Sequence, residues 1–450
     1  MRNTSAVKLL SAAAVLGLVA AGCGRSDGAK APATTVAAAT TAAAATTAAP
    51  AATTAAPAAT TAAPAGPKKV KTDIGVDDKA IQLGVLTDQS GQFKAFSATI
   101  LAGNQIFWKN KNAAGGICGR QVELVIKDHG YDVNNAKPRY DEVKDKVLAL
   151  QHVVGSPMNT KLLPDYLADK MSVGPVSWAS GLLKNPYVVM VGPSYDVEMM
   201  NGYSYLVSDL GLKAGDKVAH IWQEGEYGQN GSTGAKYAAK QLGLEYVDVP
   251  IKPSDVDLTT QVNDVISKGV KAITLTSGPN QSKSVVTVLE QIKSTIPVVS
   301  SNPGFNTAIM DDATKGALEK HFYVIAAAAP YTADLPAVKK LVTQFEAEYK
   351  DVAKGFPVNF GYAQSSLFAE ALQKACDAGD MTRDGLHAAF MSIKSFDTAG
   401  LMGGILDYSK PGGITSRENY IAKADSTQAG GLKVVKASVT SDFAKAYVPA

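Results

Sequence analysis

Short apolar runs, each followed by a helical pattern, decide what this chain can fold into. The first run covers residues 81–86, is bounded by polar residues, and reads as a buried parallel strand. The loop Thr87-Asp88-Gln89-Ser90-Gly91 follows, and then Phe96, Ile100, Leu101, Ile106 and Phe107 recur at helical spacing. Ala113-Ala114-Gly115-Gly116 ends that helix, because glycine tolerates the backbone turn that closes a helix. A second strand over 121–127 completes a βαβ unit with a right-handed crossover. The alternation then continues, with a helix over 134–150, a strand at 152–154, a helix over 161–170 and strands at 171–176 and 186–191. It restarts with strands at 217–222, 245–250, 272–276 and 297–300, separated by helices over 231–242, 259–268 and 281–294. This order builds α/β sheets of parallel strands. Ligands of such sheets sit beyond the carboxyl ends of the strands, which directs attention to residues 87–91 and 128–132.

The N-terminal region belongs to no such sheet. Residues 1–23 read as an export signal, with Arg2 and Lys8 ahead of an apolar run over 9–19. That run is shorter than the ~20 residues a membrane span needs. Ala20-Ala21-Gly22-Cys23 resembles a bacterial lipobox, so Cys23 is expected to carry a lipid anchor, with simple secretion as the alternative. From 29 to 67 the chain is almost entirely alanine, threonine and proline, and AATTAAP occurs at 44–50, 51–57 and 58–64. The threonine pairs and prolines oppose helix, and no large apolar side chain is present to form a core. Residues 24–77 are therefore expected to tether a folded body that starts at 78.

Charge and motifs narrow the function. The 44 basic and 41 acidic residues nearly cancel, and no basic run stands out, which argues against a nucleic-acid partner. Three cysteines are too few for a disulfide scaffold and show no zinc spacing. There is no GxSxG elbow, P-loop, HExxH or dinucleotide glycine fingerprint. The histidines are scattered: His152 and His220 adjoin strands and read as structural, while His129 stands at a strand's ligand end, as a cleft residue or a plain loop residue. Ser232 reads as a helix N-terminal residue rather than a nucleophile. No catalytic residue, metal site or cofactor is expected.

The strand, the segment TDQSG, the helix and then NAAGGICGRQVELVIKD together resemble the opening of the leucine/isoleucine/valine-type solute-binding proteins. These are type I periplasmic binding proteins that serve ABC importers. The resemblance continues through VVGSPMNT, EGEYGQNG, FGYAQSSLFAEAL and FDTAGLMGGILDYS. It implies two doubly wound parallel-sheet lobes joined by a three-strand hinge, with helices over 337–349 and 362–378 in the first lobe. Lobe 1 is expected to comprise 78–205 and 330–400, and lobe 2 206–329 and 401–450. Cys118 and Cys376 then both fall in the first lobe, where they form a disulfide or remain separate thiols.

The resemblance also assigns ligand residues. Asn159 and Thr160 match a hydroxyl-bearing ligand loop at a helix N-terminus, where free N–H groups suit a carboxylate. Ser177, Trp178, Ala179 and Ser180 match the segment that donates backbone N–H and hydroxyl groups. The two serines fit a helix cap as well, and Trp178 fits either the cleft or the packing beneath it. Phe96 matches a cleft aromatic but also continues its helix's core stripe. Tyr227 matches a tyrosine that closes over the ligand, with a surface-loop aromatic as the alternative. Ser277 is a further candidate. Amino-acid-binding members place an acid where this chain has Asn302-Pro303, and a buried ammonium without a charge partner is costly. Asp196 or Glu226 are the other acids placed to supply that charge. The expected ligand is a small amino-acid-like, carboxylate or amide metabolite. The expected partners are an ABC permease and the membrane that holds the anchor, with the protein a monomer on the outer face of the cytoplasmic membrane. The same hinge closure also serves sensory receptors coupled to a membrane signalling partner.

Overall fold

The computed structural model describes residues 69–449, all within one compact unit. The export signal, Cys23 and the tether up to residue 68 lie outside the described residues. The described chain opens with a two-residue strand β1 (Lys71–Thr72). Then come β2 (Ala80–Thr87), α1 (Lys94–Ala113), β3 (Gln121–Asp128), α2 (Val133–Val143), β4 (Ala149–Val154), α3 (Ser156–Ala168) and β5 (Val173–Val176). The order β3-β2-β4-β5 forms a four-stranded parallel sheet. Every residue of β4 is buried, as a central parallel strand between two helical layers requires, whereas β3 exposes Gln121 and Glu123 at the sheet edge.

The second lobe follows: α4 (Tyr195–Ser208), β6 (Lys217–Gln223), α5 (Glu226–Leu242), β7 (Glu245–Ile251), α6 (Thr259–Ser267), β8 (Ala272–Thr276), α7 (Pro279–Gln291), β9 (Val298–Ser301), α8 (Lys315–His321) and β10 (Phe322–Ala326). The chain then returns to the first lobe with α9 (Pro336–Glu348), α10 (Pro357–Asp377), β11 (Asp380–Met381) and α11 (Arg383–Met391). It ends in the second lobe with β12 (Asn419–Ala424), β13 (Leu432–Val439) and α12 (Asp442–Ala446). That lobe holds a seven-stranded sheet in the order β13-β12-β10-β9-β8-β6-β7, parallel from β10 to β7. The antiparallel hairpin β12–β13 at its edge was not expected from the sequence. In both sheets the strand order reverses beside the first strand, β2 or β6, so each lobe offers its switch point to the other.

Two helices of the first lobe approach closely because glycine permits it. A Cβ on Gly103 of α1 would lie 2.3 Å from the Val358 carbonyl oxygen, and one on Gly361 of α10 would lie 2.0 Å from the Ile100 carbonyl oxygen. Cys376, in the last turn of α10, is bonded to Cys118, which sits at φ 56° in the tight turn between α1 and β3.

The lobes are joined where three passages of chain meet. Ala328 pairs antiparallel with Met402, and the Ala329 and Gly403 N–H groups donate to Leu401 and Ala327 at 2.9 and 3.0 Å. Tyr408 and Thr415 hydroxyls donate to the Met190 carbonyl at 2.9 and 3.0 Å, which ties the first passage to the last. The second passage falls where the sequence suggested, before residue 330, but the first and last do not. Helix α4 packs on α5, β9 and β10, so the first passage lies before Tyr195 rather than at 205. Leu406 pairs with Phe396, and Tyr408 N–H donates to Ile393, so the last passage follows residue 408 rather than 400.

Candidate functional site

Between the lobes lies a cleft lined by Phe93, Phe96, Tyr131, Val154, Gly155, Ser156, Val176, Trp178, Tyr195, Tyr227 and Pro303. All but Tyr195 come from the carboxyl end of a strand or from the loop or first helical turn that follows it. Phe93 and Phe96 follow β2, Tyr131 follows β3, Ser156 opens α3 after β4, and Trp178 follows β5. From the second lobe, Tyr227 follows β6 and Pro303 follows β9, while Tyr195 opens α4. The sheets thus deliver rings to one place, and among the described residues no charged side chain lines it. Phe93 meets Tyr131 with ring centroids 4.6 Å apart. Trp178 meets Tyr195 at 5.9 Å, and Tyr195 meets Tyr227 at 4.6 Å, so a continuous aromatic path crosses from one lobe to the other. The remaining cavity is about 20 Å³, room for about one water. A solute of several heavy atoms therefore needs the lobes or the rings to separate.

Neighbouring groups hold these rings. His129 Nδ1 accepts from the Tyr131 N–H at 3.0 Å, and burial lowers the basicity of that imidazole. Gly155, at φ 96°, stands where a Cβ would meet Tyr131 Cε2 at 2.8 Å. Trp178 Nε1–H donates to the Val191 carbonyl at 2.8 Å. The Tyr227 hydroxyl donates to the Ser277 carbonyl at 3.1 Å and lies 2.7 Å from Ser301 Oγ. Burial raises the pKa of Tyr195 and Tyr227 well above the usual phenol value, so both stay neutral donors.

The structure divides the sequence-expected residues into groups. Phe96, Trp178 and Tyr227 line the cleft. Phe96 also packs on Phe356 at 6.0 Å, and Trp178 on Phe360 at 4.8 Å, so the cleft and core readings of both coincide. Asn159 faces away: its Nδ2 donates to the Val153 and Gly155 carbonyls at 2.9 and 2.8 Å, closing the β4–α3 turn. Ser177 lies behind the wall, its Oγ 2.7 Å from Ser156 Oγ. Thr160, Ala179 and Ser180 border a separate outer groove between the lobes, together with Glu226 and Asn230. Ser277 is fully buried, and its Oγ has no partner. Asn302 is also turned from the cleft. Its Nδ2 and backbone N–H donate to Glu198 Oε1 and Oε2 at 2.6 and 3.2 Å. Ser232 is not at a helix start, because α5 begins at Glu226; its Oγ lies 2.9 Å from the Tyr246 hydroxyl. His152 and His220 are buried within the sheets against Asn104 and Thr274, and burial holds both near pKa 3, uncharged.

Sequence reasoning missed Phe93, Tyr131, Tyr195, Pro303 and Glu198. Tyr131 carried a usable signal, since it lies in the 128–132 loop already marked by its strand end. Glu198 carried a weaker one: an acid directly ahead of Met199 and Met200 in a stretch rich in apolar and aromatic residues.

A second polar cluster bridges the lobes beside the cleft. Ser180 Oγ donates to Asp196 Oδ2 at 2.7 Å, and Asn230 Nδ2 donates to Ser180 Oγ and Asp196 Oδ2 at 2.8 and 3.2 Å. Asn230 Oδ1 accepts from the Ser180 and Asp196 N–H groups at 3.3 and 3.2 Å. Ser180 belongs to the first lobe, and Asp196 and Asn230 to the second. Replacing Asn230 by alanine removes the bonds it makes, leaves that between Ser180 and Asp196, and is expected to bias the lobes apart by about 1–2 kcal/mol. Small-angle scattering should then show a larger radius of gyration without ligand; an unchanged radius would remove the cluster's role in closure.

Residues 80–430 match the profile of the family described as Periplasmic binding protein. The chain belongs to that family. Among solved structures, this binding protein is similar to a fatty acid ABC transporter substrate-binding protein from Thermomonospora curvata. The identity is 37% and the TM-score 0.80, over 84% of this chain and 97% of that one. It also shares its fold with a branched-chain amino acid ABC transporter protein from Thermus thermophilus with bound valine, at 16% identity and TM-score 0.73, over 82% and 99% of the two chains. A leucine-binding protein from Thermotoga maritima gives 18% identity and TM-score 0.69, over 81% and 99%. No curated protein matches. The binding protein is thus an ABC transporter substrate-binding protein of the type I periplasmic fold, and its family consists of extracytoplasmic binders rather than enzymes. No described helix is long and apolar enough to cross a membrane.

Proposed function

We propose that this protein captures an apolar carboxylic acid, aliphatic or aromatic, and delivers it to the permease of an ABC importer, held at the outer face of the membrane by a lipid on Cys23. The observation that carries this reading is the cleft's lining of six aromatic rings with no charged side chain among the described residues. Burying an ammonium there without a carboxylate partner is costly, whereas burying a chain of CH₂ groups gains about 0.8 kcal/mol each. Two buried acids stand behind the lining and both are engaged: Glu198 by Asn302, and Asp88 by the Gly91 and Phe93 N–H groups. A carboxylate on the ligand would suit the N-terminus of α3, where Ser156 borders the cleft and the Ser156 and Met158 N–H groups precede the first helical bond, Pro157 between them having none. The relative named as a fatty acid binding component supports the same ligand class.

A thermal-shift comparison tests the proposal with decanoate, 3-phenylpropionate, leucine and valine. A ligand at 100 times its dissociation constant adds ~2.7 kcal/mol, a clear rise in melting temperature. The two apolar acids are expected to give that rise, and the two amino acids none. Stabilisation by leucine or valine alone would sink the reading.

A further inference from the structure

Glu198 has both carboxyl oxygens engaged by one turn of chain, and that turn builds a wall of the cleft. Asn302 donates to it twice, at 2.6 and 3.2 Å, and the next residue, Pro303, lines the cleft. The preceding residue, Ser301, meets the hydroxyl of Tyr227 at 2.7 Å. Glu198 also lies one helical turn after Tyr195, whose ring lines the cleft beside Tyr227. The carboxyl therefore sits directly behind the second lobe's share of the binding surface, fully buried.

Its electrostatic surroundings are negative or neutral. On α4 itself it faces Asp196 and Tyr195, and from α5 it faces Tyr227. Strands β8 and β9 and the turn Asn302–Gly304 carry no ionisable side chain, and β10 brings only Tyr323. Glu226 begins α5 at the outer groove. On α5, Lys236 pairs with Asp248, and on α12, Lys445 pairs with Asp442, both at the surface. Arg417 acts on Asp196 and donates to the Ala444 carbonyl.

We propose that Glu198 determines the charge of the ligand this cleft accepts: while it keeps its proton the cleft takes an anion, and once it loses that proton the anion is repelled. Two negative charges facing one another across a partly dry site disfavour each other more than they would in water. The proposal rests on the apolar-acid reading of the same cleft. Burial pushes the Glu198 carboxyl up to about 8, against the opposing bonds from Asn302, so the change falls near neutral to mildly basic pH.

The test measures dissociation constants for decanoate and for its neutral analogue decanamide from about pH 6.5 to about pH 9.5, where decanoate is ionised throughout. In the wild-type protein decanoate should weaken roughly tenfold or more across this range while decanamide stays constant. In Glu198→Gln, which keeps an oxygen facing Asn302, the decanoate profile should be flat. A measurement without ligand accompanies these. Because the folded carboxyl titrates above its ordinary value of 4.5, stability is full below that value and is lost as pH rises towards about 8. Glu198→Gln should lack that loss. If decanoate and decanamide weaken together, or if the variant keeps the wild-type profile, the inference falls while the apolar-acid reading stands. If neither decanoate nor 3-phenylpropionate binds at any pH, both fall. Should Glu198→Gln not fold, the wild-type contrast between decanoate and decanamide decides alone.

Discussion

Replacing Trp178 by alanine is expected to lower stability by about 3–5 kcal/mol and to abolish tight binding of an apolar acid. The ring is 1% exposed and touches both lobes, with Phe360 on one side and Tyr195 on the other. Its Nε1–H holds the Val191 carbonyl in the first passage between the lobes. Alanine would remove the packing, leave that carbonyl unpartnered and interrupt the aromatic path across the cleft. The residue after Val191 is Gly192, at φ 102°, where a Cβ would lie 2.9 Å from Met402 Cε, so this stretch of the passage is held closely against the last one. Trp178→Phe keeps a ring but loses the donor, and should cost only about 1–3 kcal/mol. Urea unfolding of the three proteins gives the ranking. A change below about 1 kcal/mol for the alanine variant would mean the cleft collapses freely around the gap, contrary to this account.

The parallel α/β architecture is legible in the sequence because buried strands are short apolar runs bounded by loops. The strand at 272–276 was expected at the very residues of β8. Helix starts are another matter. Expected starts at 161, 231 and 281 are observed at Ser156, Glu226 and Pro279. The first turns contain Pro157, Gly228 and Pro279, residues that read as breakers. Proline costs nothing in a first turn, and Gly228 is required there because a Cβ would lie 1.9 Å from the Gln223 carbonyl oxygen. The helix expected over 134–150 ends at Val143, since the buried residues 147–150 continue its apolar pattern without a breaker although they lead into β4.

The site was legible as a place rather than as a set of side chains. Strand ends pointed to the right loops, because topology alone puts them at the cleft. Which polar residue faces a ligand is a different question. Asn159 and Asn302 look like ligand donors in sequence, but one closes its own turn and the other holds Glu198. An amide beside a strand end reads the same whether it faces solvent, backbone or a buried acid. Tyr195 could not be placed, because its ring reaches the cleft only through a passage before α4 that periodicity does not mark.

Opening the Cys118–Cys376 bond is expected to cost about 2–4 kcal/mol and to loosen the first lobe selectively. The bond spans a sequence separation of 258 residues, a segment that includes the second lobe from α4 to β10. In the chain-entropy view, so long a closed loop restricts the unfolded chain substantially. Locally it joins the turn before β3 to the end of α10, and α10 packs along α1 through the Gly103–Gly361 approach. Loss of the bond should therefore fray the 117–120 turn and the last turn of α10 first. Paired Cys118→Ala and Cys376→Ala substitutions avoid stray thiols, and hydrogen exchange locates the effect. Faster exchange should appear in residues 115–121 and 370–380, while β8 and β9 of the second lobe keep their protection under native conditions. Uniform acceleration across both lobes would show instead that the two unfold as one unit, with the disulfide acting on the unfolded chain alone.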